Sequence, residues 1–229
     1  MWMRVTITCS MRLRSIGWLV VVLIALSQNA FGQAFVNLDF EQSTIVSSNY
    51  DSEFGFYYGT ANVPGWTGGL GTNLFLYNDL SLGSPSVTLV GTGWGSIDGA
   101  FSMMLQAFPI GGASISQTGL VPIGTESLLF KAQQSGVGIP AGTLQISLGG
   151  QNLSFFALSS GANYTLYGAD ISNFAGRTEQ LTFSALEDAS GDNFCNIDDI
   201  QFSPSSVPEP STLGLIALGG LLFGLRRSN

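Results

Sequence analysis

Carboxylates near the two ends of the central part of the sequence are the side chains best suited to bind a cation. Asp39 and Glu41 lie near its start, and Asp198 and Asp199 lie near its end. Residues two apart in a strand share a face, so Asp39 and Glu41 point the same way, whereas Asp198 and Asp199 point opposite ways. If the first and last strands are neighbours, several carboxylates converge with almost no Lys or Arg nearby, an arrangement that calcium accepts. The alternative is that they are solvated charges that discourage pairing between sheet edges.

Four aromatic residues are candidates for a sugar-binding platform. Trp66, Trp94, Tyr57 and Tyr58 can each present a ring to a sugar if the ring is exposed beside polar groups. The alternative for each ring is packing in the hydrophobic core. Exposure decides between the two, because a planar pair of exposed rings in a cleft favours binding and burial favours a structural role.

Catalysis is limited by what the sequence lacks. It contains no His, which excludes Ser-His-Asp, Cys-His and His-ligated zinc sites. Cys9 lies in the N-terminal segment, and Cys195 is predicted to be a small buried residue of a strand. A glycosidase that uses two carboxylates stays formally open, but no acidic pair can be assigned to a common cleft. We therefore predict that the protein is not an enzyme.

The charge distribution argues against nucleic-acid binding. The formal net charge is −8, and all 15 acidic residues lie between two basic ends. Within that acidic stretch the basic residues are Lys131 and Arg177. A chain this acidic repels phosphate backbones, so nucleic acid is excluded as a partner.

The stretch that must position these side chains is predicted to be all-β. Between residues 35 and 204, apolar residues recur with a period near two, and turn signals such as Gly149-Gly150 separate the runs. Short strands at this spacing indicate a β-sandwich or barrel. The region 43–71 has few strand signals and is expected to be a long aromatic loop. The predicted strands are residues 35–40, 74–77, 86–90, 101–106, 113–118, 127–132, 143–148, 153–158, 164–167, 180–185 and 194–202.

The N-terminus has the three parts of a secretory signal peptide. Arg4, Arg12 and Arg14 precede an uncharged apolar run at residues 16–26, and small residues follow near Gly32 and Ala34. We predict residues 1–34 to be a signal peptide cleaved after Gly32 or Ala34. The alternative is an uncleaved anchor, for which the apolar run is short.

The C-terminal segment, residues 205–229, is predicted to be a separate tail. It contains a proline-bounded motif, a short apolar helix over residues 213–225 and a basic end. That helix is about 20 Å long against a hydrocarbon core of roughly 30 Å, so it is a marginal transmembrane span. The basic end would hold it on the cytoplasmic side. The motif consists of Val207, Pro208, Glu209 and Pro210, and the basic end of Arg226 and Arg227.

These three elements, in this order, resemble the PEP-CTERM sorting signal of Gram-negative bacteria. The resemblance implies that an exosortase, an integral-membrane transpeptidase, recognises the Pro-Glu-Pro motif and removes the tail. The chain would be held in the inner membrane in transit and would then go to the cell envelope or the extracellular matrix. The resemblance supplies a route and no activity.

The body, residues 35–204, resembles jelly-roll, galactose-binding-like domains. The residues that carry this resemblance are Asn37-Leu38-Asp39-Phe40-Glu41, Val63-Pro64-Gly65-Trp66 and Ile197-Asp198-Asp199-Ile200-Gln201-Phe202. It implies that the first and last strands lie close together and that acidic residues on them hold a structural calcium. On this resemblance Asp198, rather than Asp199, joins Asp39 and Glu41.

Two functions follow as expectations. The first is an exported structural or surface protein, sorted through its tail, with the secretion machinery, the exosortase and the membrane as partners in transit. The second is a carbohydrate-binding module that binds polysaccharide through exposed aromatic rings of the sandwich.

Overall fold

The described part of the chain is built from strands. A computed structural model describes residues 32–53, 55–79, 83–93, 95–135, 144–187 and 193–207, in which one 3-10 turn, Ser172–Phe174, accompanies the strands. The helices expected at 16–26 and 213–225 lie outside these residues. Within the described ranges, no helix is long and apolar enough to cross a membrane. The strands are β1 (Thr44–Asp51), β2 (Phe56–Thr67), β3 (Thr72–Tyr77), β4 (Ser86–Gly91), β5 (Phe101–Ala107), β6 (Ala113–Leu120), β7 (Ser127–Ser135), β8 (Leu144–Leu148), β9 (Gln151–Asn152), β10 (Phe155–Ser160), β11 (Thr165–Asp170), β12 (Thr178–Ala185) and β13 (Asn193–Ser203).

The all-β prediction is confirmed, and from residue 74 onward every predicted run overlaps a strand. The reason is visible in β12, where Leu181, Phe183 and Ala185 are buried and the residues between them are not. Strand β8 alternates in the same way. In a strand with one face in the core, apolar residues recur at every second position of the sequence.

The prediction of a long irregular loop at 43–71 is wrong. Strands β1 and β2 occupy most of it and form an antiparallel hairpin, in which Tyr50 lies opposite Tyr57. Seven of the eight residues of β1 are exposed. A strand with both faces in water has no need of alternating apolar residues, so its sequence carries no strand signal.

The predicted first strand, residues 35–40, is also wrong. No residue of this segment is in a strand, and one bridge, between Ala34 and Leu120, lies just before it. The chain turns here, and Asn37 and Phe40 have left-handed backbones, with φ of 52° and 59°. Phe40 is fully buried and Asp39 is exposed. The expectation that Asp39 and Glu41 share a strand face therefore fails, because the backbone there is not extended.

The strands form one continuous hydrogen-bonded sheet, which folds back on itself into two layers. The order is β10-β11-β7-β13-β5-β4-β3-β2-β6-β12-β8-β9, and β1 pairs with β2 outside this path. Its pairs are antiparallel except β3 with β4. The core lies between the layers, where the rings of Phe130 on β7 and Phe183 on β12 meet edge to face at 5.5 Å. This arrangement is consistent with a jelly-roll-like sandwich.

Candidate functional site

The turn at residues 37–43 is anchored on the side chain and carbonyl group of Asn37. Its Oδ1 accepts a hydrogen bond from the Gln42 backbone N–H at 2.9 Å, and its Nδ2 lies 3.5 Å from the Pro64 carbonyl oxygen. The Asn37 carbonyl oxygen accepts a 2.9 Å hydrogen bond from Nε1 of Trp66. Asn and its local hydrogen bonds tolerate the left-handed backbone that this turn requires.

Strand β13 closes against the same turn. The Ile200 backbone N–H donates to the Leu38 carbonyl oxygen at 3.0 Å, and the rings of Phe35 and Phe202 lie 4.9 Å apart. The three sequence segments that carry the jelly-roll resemblance therefore meet at one place in the fold. The contacts that join them are hydrogen bonds and core packing, so this junction stabilises the domain.

The side chain of Glu41 extends from the turn and accepts hydrogen bonds from the backbone at the start of β5. Its Oε1 accepts hydrogen bonds from the backbone N–H groups of Ala100 and Phe101, at 2.8 and 3.0 Å. Gly99 precedes them with a left-handed φ of 54°, and a Cβ atom there would collide with the Glu41 carboxylate. Glu41 thus links the first turn of the domain to a central strand.

Asp198 on β13 is a buried carboxylate. Only 1% of the residue is exposed, its Oδ2 accepts a 2.5 Å hydrogen bond from Ser102 Oγ, and its Oδ1 accepts one from the Asp199 backbone N–H at 2.7 Å. Burial raises its pKa from 3.8 to about 7 against the opposing effect of these hydrogen bonds, and the nearby charges of Asp98 and Glu41 raise it further.

Lys131 corrects the expectation that almost no basic residue lies near these acids. Its Nζ lies 2.6 Å from Oδ2 of Asp98 and 2.9 Å from Oδ2 of Asp199. Burial opposes the charge of Lys131, yet hydrogen bonds to both carboxylates raise its pKa overall, and the same contact lowers the pKa of Asp98. The ammonium group also lies 4.9 Å from the centre of the Tyr164 ring. Lys131, which lies opposite Asp198 in the β7–β13 pairing, therefore forms ion pairs with the outward acids Asp98 and Asp199.

The three predicted calcium ligands are not gathered into one cluster. Asp39 is exposed, with its Oδ1 3.3 Å from the Glu41 backbone N–H, whereas Asp198 is buried under β5. Within the described ranges, no group of three or more His, Cys, Asp or Glu side chains is placed to hold a metal. Glu41 and Asp198 do influence each other electrostatically, and carboxylate oxygens are donors that suit a hard cation.

The structure separates the candidate sugar-binding aromatics. Trp66 is fully buried against Phe40, with ring centres 5.5 Å apart, so it is not an exposed platform. Trp66 reaches the core, where Ala61 and Val63 are also buried, because the register of β2 shifts between Asn62 and Thr67 and Gly65 has a left-handed φ of 85°. Trp94 lies outside the described residues.

Tyr57 and Tyr58 lie on the same hairpin but differ in exposure. Tyr57 is 57% exposed and contacts Tyr50, with ring centres 5.0 Å apart and a 52° angle between the ring planes. Tyr58 is half-buried. The exposed pair is therefore Tyr50 with Tyr57, and its rings are tilted rather than coplanar.

Cys195 is fully buried, and burial raises its pKa to about 12. A thiol with this pKa is not a nucleophile near neutral pH.

Sequence reasoning did not single out Ser102, Asp98 or Lys131 as site residues. Lys131 is the one lysine of the sequence and stands within the apolar run of β7, which was an available signal. Ser102 and Asp98 carry no such signal, because their roles come from partners 96 and 33 residues away.

Comparison with known proteins identifies the C-terminal segment. Residues 206–228 match the PEP-CTERM protein-sorting motif, which begins three residues after the end of β13 at Ser203. Of the motif residues, Val207 is described and half-buried; Pro208, Glu209, Pro210, Arg226 and Arg227 lie outside the described residues. No curated protein matches the chain. The motif indicates a protein that an exosortase sorts to the cell envelope or surface.

Proposed function

We propose that this chain is a non-catalytic structural protein of the cell surface, and that its sandwich domain is the part that remains there after sorting. The observation that carries the proposal is the sorting motif at residues 206–228, which directly follows the last strand of the domain. The signal peptide at residues 1–34, transit through the inner membrane and removal of the tail by exosortase complete the proposed route. The absence of His from the sequence and the burial of Cys195 support a role without catalysis.

The structural role is preferred to carbohydrate binding because of the aromatic side chains. Burial of Trp66 removes one of the candidate platforms, and the tilt between Tyr50 and Tyr57 does not offer a flat surface to a sugar ring. Both tyrosines lie on the β1–β2 hairpin, where seven of the eight residues of β1 are exposed.

Processing of the tail tests the proposed route. In a host that has an exosortase, we expect the wild-type chain at the cell surface to lack residues 213–229 and to begin near Gln33 or Phe35. Replacing Pro208, Glu209 and Pro210 together with Ala should abolish the processed form, because the transpeptidase reads this contiguous motif. Intact-mass analysis of surface material measures both ends.

The matched control is Ser205→Ala, which lies just before the matched segment and has an exposed side chain. It should be processed like the wild type, and a host without exosortase should accumulate the unprocessed chain. Full-length wild-type chain at the surface, or normal processing of the triple variant, would contradict the proposal.

A structural calcium is a second proposal for this domain, with Glu41 and Asp198 as its carboxylate ligands. Its support is the cost of charging the buried Asp198 carboxylate near Glu41 and Asp98, which a cation would relieve. We expect saturating calcium to raise the melting temperature by about 5 °C or more over chelator, since it binds the native state. Asp198→Asn should lose this response. If calcium left the melting temperature of the wild type unchanged and elemental analysis found no metal, the calcium proposal would be rejected. Ser102 would then be the partner that Asp198 requires.

A further inference from the structure

Strand β1 is an outer strand with an open edge. It pairs with β2 and with no other described strand, and seven of its eight residues are exposed. Such an edge presents backbone N–H and C=O groups that can pair with a further strand. Among the described residues this edge is therefore left open for a further strand.

The sequence of β1 lacks the features that usually protect an outer strand. From Thr44 to Tyr50 it has no charged residue, no Pro and no Gly, and it includes the exposed β-branched residues Ile45 and Val46. Protected edges carry Lys, Pro or inward charges that prevent pairing. The one protective feature is a bulge between Ile45 and Ser47, which leaves residues 47–51 in regular pairing with β2.

The bulge places three residues of β1 on one face. Ile45 pairs with Ala61, and after the bulge Ser48 pairs with Gly59 and Tyr50 with Tyr57, so all three lie on the side of the sheet to which Ala61 contributes core. Beyond the core this face is uncovered, with Ile45 exposed by 46% and Tyr50 by 58%. This face therefore carries apolar side chains that are exposed to solvent.

We infer that a second copy of this chain pairs with β1, edge to edge and antiparallel, about a two-fold axis at Ser48. In this register Ser48 lies opposite the partner's Ser48. Tyr50 lies opposite the partner's Ile45 on the same uncovered face, and the bulged Val46 is skipped. Aromatic and β-branched side chains are favourable cross-strand neighbours, and the two-fold axis makes this pair twice.

The lack of charge on β1 allows a second copy to pair at this edge. Two chains of formal charge −8 repel each other, and a contact through β1 up to Tyr50, which has no charged residue, adds no local repulsion. The antiparallel register places Asp51 opposite the partner's Thr44. The two Asp51 carboxylates are then separated by about 20 Å along the strands, well beyond a Debye length of about 8 Å.

Strand β10 is the other long outer strand of the sheet order and serves as the control. Its residues Phe155 and Phe156 are half-buried, and Val207 packs over Gly168 on the neighbouring β11, beside Leu158. Ser160 at the end of β10 is exposed, as Ser48 is on β1. The same substitution can therefore be made on both edges.

The test is sedimentation equilibrium of the full chain over a concentration series, in one nonionic detergent for all samples. We expect a concentration-dependent dimer for the wild type. Ser48→Glu should weaken it at least about tenfold, because two carboxylates then face each other across the axis, and Ser48→Lys should act alike. An equimolar mixture of the two variants should restore a heterodimer, which excludes misfolding as the cause. Ser160→Glu should leave the wild-type dimer unchanged.

This interface goes beyond the proposed surface role, since a sorted chain could remain a monomer. A monomeric wild type at all concentrations would overturn it, even if sugars or other proteins bound at Tyr50 and Tyr57. If the Ser48→Glu variant dimerised as strongly as the wild type, the proposal would also be overturned, and self-association would be assigned to another segment. Loss of the dimer in Ser160→Glu alone would move the interface to β10.

Discussion

Replacing Trp66 with Ala is expected to lower the free energy of unfolding by about 3–5 kcal/mol. The side chain is fully buried against Phe40, and its Nε1 holds the carbonyl oxygen of Asn37. The substitution leaves a cavity and a buried carbonyl group without its donor, and both effects act in the same direction. Domain stabilities are typically about 5–15 kcal/mol, so the variant would lose a large share of the total.

Two further variants separate packing from hydrogen bonding at this position. Trp66→Phe keeps an aromatic ring but removes the donor, and we expect it to cost about 1–3 kcal/mol. Ile123→Ala removes a large apolar side chain that is 90% exposed, and it should change stability by less than about 0.5 kcal/mol. Urea unfolding gives all three values. A Trp66→Ala chain as stable as the Ile123→Ala chain would show that Trp66 does not belong to the core.

Replacing Asp198 with Asn is expected to stabilise the chain at pH 8, in the presence of chelator, by on the order of 3 kcal/mol. Burial raises the folded-state pKa of Asp198 from 3.8 to about 7. Between these values the folded chain holds a proton that the unfolded chain has released, so wild-type stability falls as the pH rises through this window. Asn removes the charge, and it can still hydrogen-bond to Ser102 and to the Asp199 backbone N–H.

Urea unfolding at a series of pH values between about 4 and 8 measures this effect, because the window lies between the two pKa values of Asp198. The two chains should be nearly equal in stability at the acid end and diverge towards pH 8. Asp170→Asn is the control, since Asp170 is exposed and its Oδ1 accepts only a local hydrogen bond from the Ser172 backbone N–H at 2.9 Å. A constant difference between wild type and Asp198→Asn across the series would mean that Asp198 does not titrate in this window.

The strands with one face in the core could be predicted from the sequence, because the alternation of buried and exposed residues is visible within each strand. In β12 each buried residue is followed by one that faces outward, and this alternation requires no knowledge of the partner strands. The sorting motif is equally local, since a transpeptidase reads contiguous residues, and its match at residues 206–228 agrees with the tail predicted at 205–229. Strand β1 escaped prediction because both of its faces are exposed and no alternation arises.

The sequence by itself determined the all-β architecture and the sorting signal, and it identified the three segments that meet at the Asn37 turn. Only the tertiary structure decided that the Trp66 side chain donates a hydrogen bond to the Asn37 carbonyl oxygen in that turn. It also decided that Lys131 neutralises Asp98 and Asp199, and that Asp198 is buried beside Ser102. Ser102 and Asp198 are 96 residues apart in the chain. The pairing of distant strands sets which side chains face each other and how much water each one loses, and neither quantity is present in a local pattern of residues.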